Sequence, residues 1–90
     1  MIGITQRAKD ELKRMLTDNT DNCQAGLRLI DRGEGKLGLG VDIEMPGDHV
    51  VEHEGLKVLL VNEQLAGLLS GITIDAEDTN EGTELVLIRD

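Results

Sequence analysis

From Leu37 to Ile43 the chain reads Leu-Gly-Leu-Gly-Val-Asp-Ile, with an apolar residue at every second position. Side chains alternate between the two faces of a strand, so this spacing predicts a β-strand with one apolar face. A helix would need its apolar residues three and four apart. Gly38 and Gly40 fall on the opposite face, where the missing Cβ would admit another backbone. Gly26–Ile30, His49–Glu54, Leu56–Val61, Ile72–Ala76 and Glu84–Ile88 read as further strands. Met45-Pro46-Gly47-Asp48, Gly55 and a loop over Asp78–Gly82 supply the turns.

Two segments carry the other period. After Thr5, a side chain suited to an N-cap, Ala8, Leu12, Met15 and Leu16 recur on one helical face, predicting a helix over roughly 5–17. Asp10 and Arg14 stand at pairing distance on its polar side. The polar run Thr17–Asn22 predicts its end. Asn62 is placed to cap a short helix, Glu63–Ser70, that buries Leu65, Leu68 and Leu69 and stops at Gly71. The expected class is α+β: a small mixed β-sandwich or barrel, with one N-terminal amphipathic helix and a short second helix. Its 90 residues are enough for one domain, 1–90.

Composition narrows the functions open to such a fold. The chain has no Phe, Tyr or Trp, so the core must be built from its 27 Val, Leu and Ile residues. Base stacking and cation–π cages are excluded with the aromatics. A net charge of −9 repels phosphate backbones, so no nucleic-acid partner is expected. Residues 1–36 balance at +1 and residues 37–90 at −10. Such an acidic surface keeps a protein in solution, or selects a basic partner and repels its own copies. The single cysteine, Cys23, cannot close an intramolecular disulfide and favours a reducing compartment. No apolar run approaches the ~18 residues that span a bilayer, and the N-terminus lacks a basic-then-apolar leader, so a cytoplasmic location and no membrane partner are expected.

Candidate chemistry is sparse. Gly33-Glu34-Gly35-Lys36-Leu37-Gly38 matches the dinucleotide pattern G-x-G-x-x-G. That site needs a following helix and tolerates no carboxylate beside the phosphates, whereas a period-two run follows here and Glu34 sits in the loop. His49 and His53 have a helical ligand spacing, but on a strand they lie ~13 Å apart and read as two surface histidines. They remain the weak metal candidates. Cys23 lies near Asp18 and Asp21, which disfavour a thiolate. Glu52 with Glu54, and Asp75 with Glu77, read as exposed strand faces. No nucleophile, base and orienting group can be assembled, so the expectation is a protein that is not an enzyme.

The order of short motifs resembles the HesB/IscA-like family, the A-type proteins of iron–sulfur cluster assembly. Ile2-Gly3-Ile4-Thr5-Gln6-Arg7-Ala8 followed by Leu12 resembles that family's start. Gly26-Leu27-Arg28-Leu29 is similar to its G-[LV]-R-[LV] strand, and Gly55-Leu56-Lys57-Val58-Leu59-Leu60 to its G-x-K-[VI]-[LV] strand. Leu69-Ser70-Gly71-Ile72-Thr73-Ile74-Asp75 matches L-x-G-x-x-I-D, and Gly82-Thr83-Glu84-Leu85 stands where the family has G-x-x-F. The resemblance implies the family fold. It also implies three ligand cysteines, one in a G-[GS]-C-S-G loop and two in a C-terminal C-x-C, and these are missing. The loop reads Arg32-Gly33-Glu34-Gly35-Lys36, the chain stops at Asp90 before the C-x-C, and Cys23 aligns with no ligand. Ala76 and Leu85 replace the usual aromatics. Thiolates hold such clusters, so no cluster and no other cofactor is expected. The reading is a HesB-like domain acting as an accessory or protein-binding module, docked on a cluster-assembly partner or on itself as a homodimer. The alternative is an iron carrier using carboxylates and His49 or His53 across a dimer.

Overall fold

Thr5 opens the first helix as its residue type predicts: its backbone is extended and its Oγ1 accepts a hydrogen bond from the Ala8 N–H. The computed structural model describes residues 3–33, 36–80 and 82–89. In chain order these form β1 (Gly3–Ile4), α1 (Gln6–Asn19), β2 (Ala25–Gly33), β3 (Lys36–Ile43), β4 (His49–His53), β5 (Leu56–Val61), α2 (Glu63–Leu68), β6 (Ile72–Thr79) and β7 (Gly82–Arg89). The strands make two sheets, a three-stranded β1-β6-β7 and a four-stranded β3-β2-β5-β4. Both are mixed: β1–β6 and β2–β5 pair parallel, while β6–β7, β2–β3 and β4–β5 pair antiparallel. The fold is the expected α+β class.

The core is aliphatic throughout. Ala8, Leu12 and Leu16 of α1 are buried against Leu27 and Leu29 of β2, Val58, Leu59 and Val61 of β5, and Ile72 and Ile74 of β6. Each fully buried Leu or Ile contributes roughly 1.5–3 kcal/mol relative to exposure. Helical and strand periods therefore converge on one apolar layer between the sheets and helices.

Several local expectations are corrected. Helix α1 runs on through Thr17-Asp18-Asn19, because Asn19 Nδ2 donates to Met15 O (2.6 Å) and the Thr20 N–H to Leu16 O (3.0 Å). Arg14 pairs with Glu11 and Asp18 on its own helix, and Asp10 is turned elsewhere. Helix α2 ends at Leu68, whose side chain is exposed, while Leu65, Ala66 and Leu69 are buried. The expected loop over 78–82 is mostly strand, since Asp78 pairs with Thr83 and Thr79 with Gly82. The β3 glycines are covered by side chains of neighbouring β2, Arg32 over Gly38 and Ile30 over Gly40, and not by a backbone. Close backbone approach occurs at Gly26 instead, where a Cβ would stand 2.5 Å from Lys57 O. The apolar face of β3 also outruns the core: Leu39 packs against it, whereas Val41 and Ile43 are about half exposed. The side chain of Leu37 lies outside the described residues.

Candidate functional site

Gln6, Asp10 and Lys13 recur at intervals of four and three, so they share one face of α1. That face meets the turn joining β4 to β5. His53 closes β4 and pairs with Leu56, leaving a two-residue turn, Glu54-Gly55. Both turn residues have positive φ, +52° at Glu54 and +83° at Gly55, the type I′ pattern that matches the twist of antiparallel strands. For Glu this left-handed conformation costs roughly 1–2 kcal/mol, and it aims the carboxylate back at α1.

Three potential ligands meet there. Nε2 of His53 lies 2.7 Å from Asp10 Oδ1 and 3.8 Å from Glu54 Oε1. Gln6 Nε2 is 3.3 Å from both His53 Nε2 and Asp10 Oδ1. Lys13 Nζ donates to the other Glu54 oxygen, Oε2. That hydrogen bond, aided by the lysine charge, holds the Glu54 carboxyl below its ordinary pKa. The His53 side chain is only 10% exposed, against 61% for Asp10 and 57% for Glu54. An imidazole at the bottom with two carboxylates at the rim can take a proton, or a cation.

The histidines are thus not two equivalent surface groups. His49 is exposed and lines a separate groove with Ile4, Val51, Val61, Glu63 and Ser70. His53 joins two carboxylates, Asp10 and Glu54 of its own chain. Asp10 sits 43 residues from His53, and periodicity alone assigned it to an ordinary solvated helix face. The one local signal was Glu54-Gly55, a Glu where an I′ turn favours Asn or Asp.

The remaining motifs resolve into structure. Gly33-Glu34-Gly35-Lys36 joins β2 to β3, with Glu34 and Gly35 outside the described residues. Strand β3 follows where a dinucleotide site needs a helix. Cys23 is an exposed free thiol in the turn before β2. Gly33 lies eight residues beyond Ala25, at the far end of that strand, ~26 Å away at ~3.3 Å per residue. Asp75 accepts from Thr5 Oγ1 (2.6 Å), and Asp78 pairs with Arg7 (2.7 Å).

Among the described residues, Arg28 is the best-connected cation. Its Nη1 and Nη2 grip Asp48 at 2.9 and 2.6 Å, its Nε donates to Asp42 (2.7 Å), and Nη2 also reaches Ile43 O (3.2 Å). The clamp ties β2, the end of β3 and the turn before β4. It holds the Asp48 carboxyl below its ordinary pKa. Among the described residues, no helix is long and apolar enough to cross a membrane.

No family model matches the chain. A protein of Cereibacter sphaeroides described as uncharacterized in the nifU 5′ region is 40% identical over 91 residues, covering 96% of this chain and 84% of its own length. A nifU 5′-region protein of Azotobacter vinelandii is 30% identical over 93 residues, covering 98% and 85%. Among solved structures, Escherichia coli SufA, involved in biosynthesis of iron–sulfur clusters, superposes with a TM-score of 0.67 at 16% identity, over 98% of this chain and 84% of SufA. IscA with its 2Fe–2S cluster gives 0.66 at 19% identity, over 99% and 85%. An Aquifex aeolicus protein solved by NMR gives 0.67 at 21%, over 99% and 91%. The chain belongs to the family of the nifU 5′-region proteins and has the fold of SufA and IscA, the fold that its resemblance to the HesB/IscA-like family implied.

Proposed function

We propose that this chain is a non-catalytic accessory module of nif-associated iron–sulfur cluster assembly, acting by protein contact and carrying no thiolate-ligated cluster. The observation that carries the reading is the position of its one thiol. A cluster needs several thiolates at one place. Cys23 is alone, and it lies at the opposite end of β2 from the loop that the family motif equips with cysteine. The residues present do not fit the cluster of IscA. The relatives' place in the nifU 5′ region supports a role beside the nifU product. The free thiol is consistent with residence in the cytoplasm.

Anaerobic reconstitution with iron and sulfide tests the first half. The expected result is no stoichiometric visible chromophore after desalting; a stable cluster would overturn the proposal. Gel filtration of the chain mixed with the nifU product of its own organism tests the second half. Co-elution is expected, and independent elution removes the contact with that protein.

A further inference from the structure

We infer that Asp10, His53 and Glu54 form a binding site for a divalent first-row transition-metal ion, built from nitrogen and oxygen donors within one chain. Three observations carry it. First, one donor atom from each residue lies within 4.8 Å of the other two. Ligand bonds of about 2.1 Å place neighbouring donors about 3.0–3.4 Å apart, in octahedral or tetrahedral arrangement. The separations of 2.7 Å and 3.8 Å from His53 Nε2 straddle that range, and the two carboxylates are on exposed side chains that can adjust to an ion.

Second, three polar groups converge on one point, since Gln6 Nε2 lies 3.3 Å from both the His53 ring nitrogen and the Asp10 oxygen that it faces. His53 Nε2 faces a carboxylate oxygen of Asp10 and an amide nitrogen of Gln6 together. With its proton on Nε2 the ring donates to Asp10, as the Gln6 amide does; with its proton on Nδ1 the Nε2 lone pair faces the carboxylate oxygen. In that second tautomer an ion takes the Nε2 lone pair and the Asp10 oxygen together. Turning the Gln6 amide over then offers its oxygen as a further ligand.

Third, Lys13 is bound to Glu54 Oε2 and leaves Oε1 facing His53. The lysine therefore partly neutralises the site without filling the ligand position. Its charge repels a dication, so Lys13 sets the affinity. One imidazole and two carboxylates, two of them open to solvent, suit Zn²⁺, Fe²⁺ or Mn²⁺ rather than the soft ions that thiolates select.

Calorimetric titration of Zn²⁺, and separately of Mn²⁺, into the intact chain tests the site. One Zn²⁺ per chain is expected. His53→Ala and Asp10→Asn should each weaken binding about tenfold or more, as loss of one of three ligands requires. Lys13→Ala should tighten it several-fold, and His49→Ala should leave it unchanged. Asp10 is exposed, so its variant keeps the fold, which circular dichroism verifies. Absence of one-to-one binding by both the native chain and Lys13→Ala overturns the inference. Native-like affinity in His53→Ala, or loss in His49→Ala, overturns it as well. None of these readouts depends on the outcome of cluster reconstitution.

Discussion

Replacing Arg28 by alanine removes the side chain that joins β2, β3 and the turn before β4, and the structure sets the size of the effect. The Asp48 side chain is 3% exposed and that of Arg28 16%, so the pair sits largely out of water. Deleting the arginine strands the Asp48 carboxylate, with only the Met45 N–H (2.7 Å) still donating to it. Breaking a buried pair from one side costs about 3–5 kcal/mol. Water entering the vacated space places this case near the lower end, about 3 kcal/mol. A domain of 90 residues has a total stability of about 5–13 kcal/mol, and for this size 1 kcal/mol moves Tm by about 4–8 °C. Thermal unfolding at pH 7 should therefore show Tm lowered by about 12–24 °C.

The pH dependence gives an independent check. Arg28 is the leading cause of the lowered Asp48 pKa; at Asp42 the Ile43 N–H leads and Arg28 follows. A carboxylate with a depressed folded pKa contributes stability above its unfolded value, near 3.9, and loses it as pH falls through the folded value. The gap in Tm between native chain and variant should be full at pH 7 and narrow below about pH 4. At the more exposed Lys57–Glu44 pair, with exposures of 27% and 46%, Lys57→Ala should cost under about 1 kcal/mol. A loss of less than 1 kcal/mol for Arg28→Ala, or a gap unchanged down to pH 2, would refute the reasoning.

Three further outcomes follow from single positions. Gly26→Ala places a Cβ 2.5 Å from a backbone carbonyl, which cannot yield like a flexible side chain, and should cost about 1–3 kcal/mol in urea unfolding. Leu65→Ala should cost about 2–4 kcal/mol and Leu68→Ala under 0.5, because Leu65 is 6% exposed and Leu68 74%; equal losses would place Leu68 in the core. Glu54→Asn relieves the left-handed strain at φ +52° at the expense of an exposed pair with Lys13, and should raise stability by about 0.5 kcal/mol while weakening Zn²⁺ binding; a loss of both would show that the ion pair outweighs the strain.

The residues that carry the family resemblance turn out to be fold-making ones. Thr5 caps α1 and its hydroxyl reaches Asp75, so the first and fourth motifs hold each other. Gly26 admits the backbone of β5, Arg28 supplies the clamp, and Gly55 and Gly71 occupy left-handed turns at +83°. A chain can therefore keep every one of these motifs and the fold without the ligand cysteines, since none of them is a ligand.

Local pattern by itself determined the elements of this protein, because period and capping act over two to four residues. The alternation at Leu37–Ile43, the stripe Ala8-Leu12-Leu16 and the caps Thr5 and Asn62 each sit where such forces place them. Local pattern also determined the aliphatic core. It misplaced Leu68 and the free ends of β3, since burial depends on what lies opposite. Only the tertiary structure decided which polar groups meet. Asp10 reaches His53 across 43 residues, Arg28 reaches Asp48 across 20, and Thr5 reaches Asp75 across 70. Those meetings depend on sheet order, on parallel β2–β5 pairing and on the docking of α1, none of which leaves a trace in the spacing of the residues it brings together.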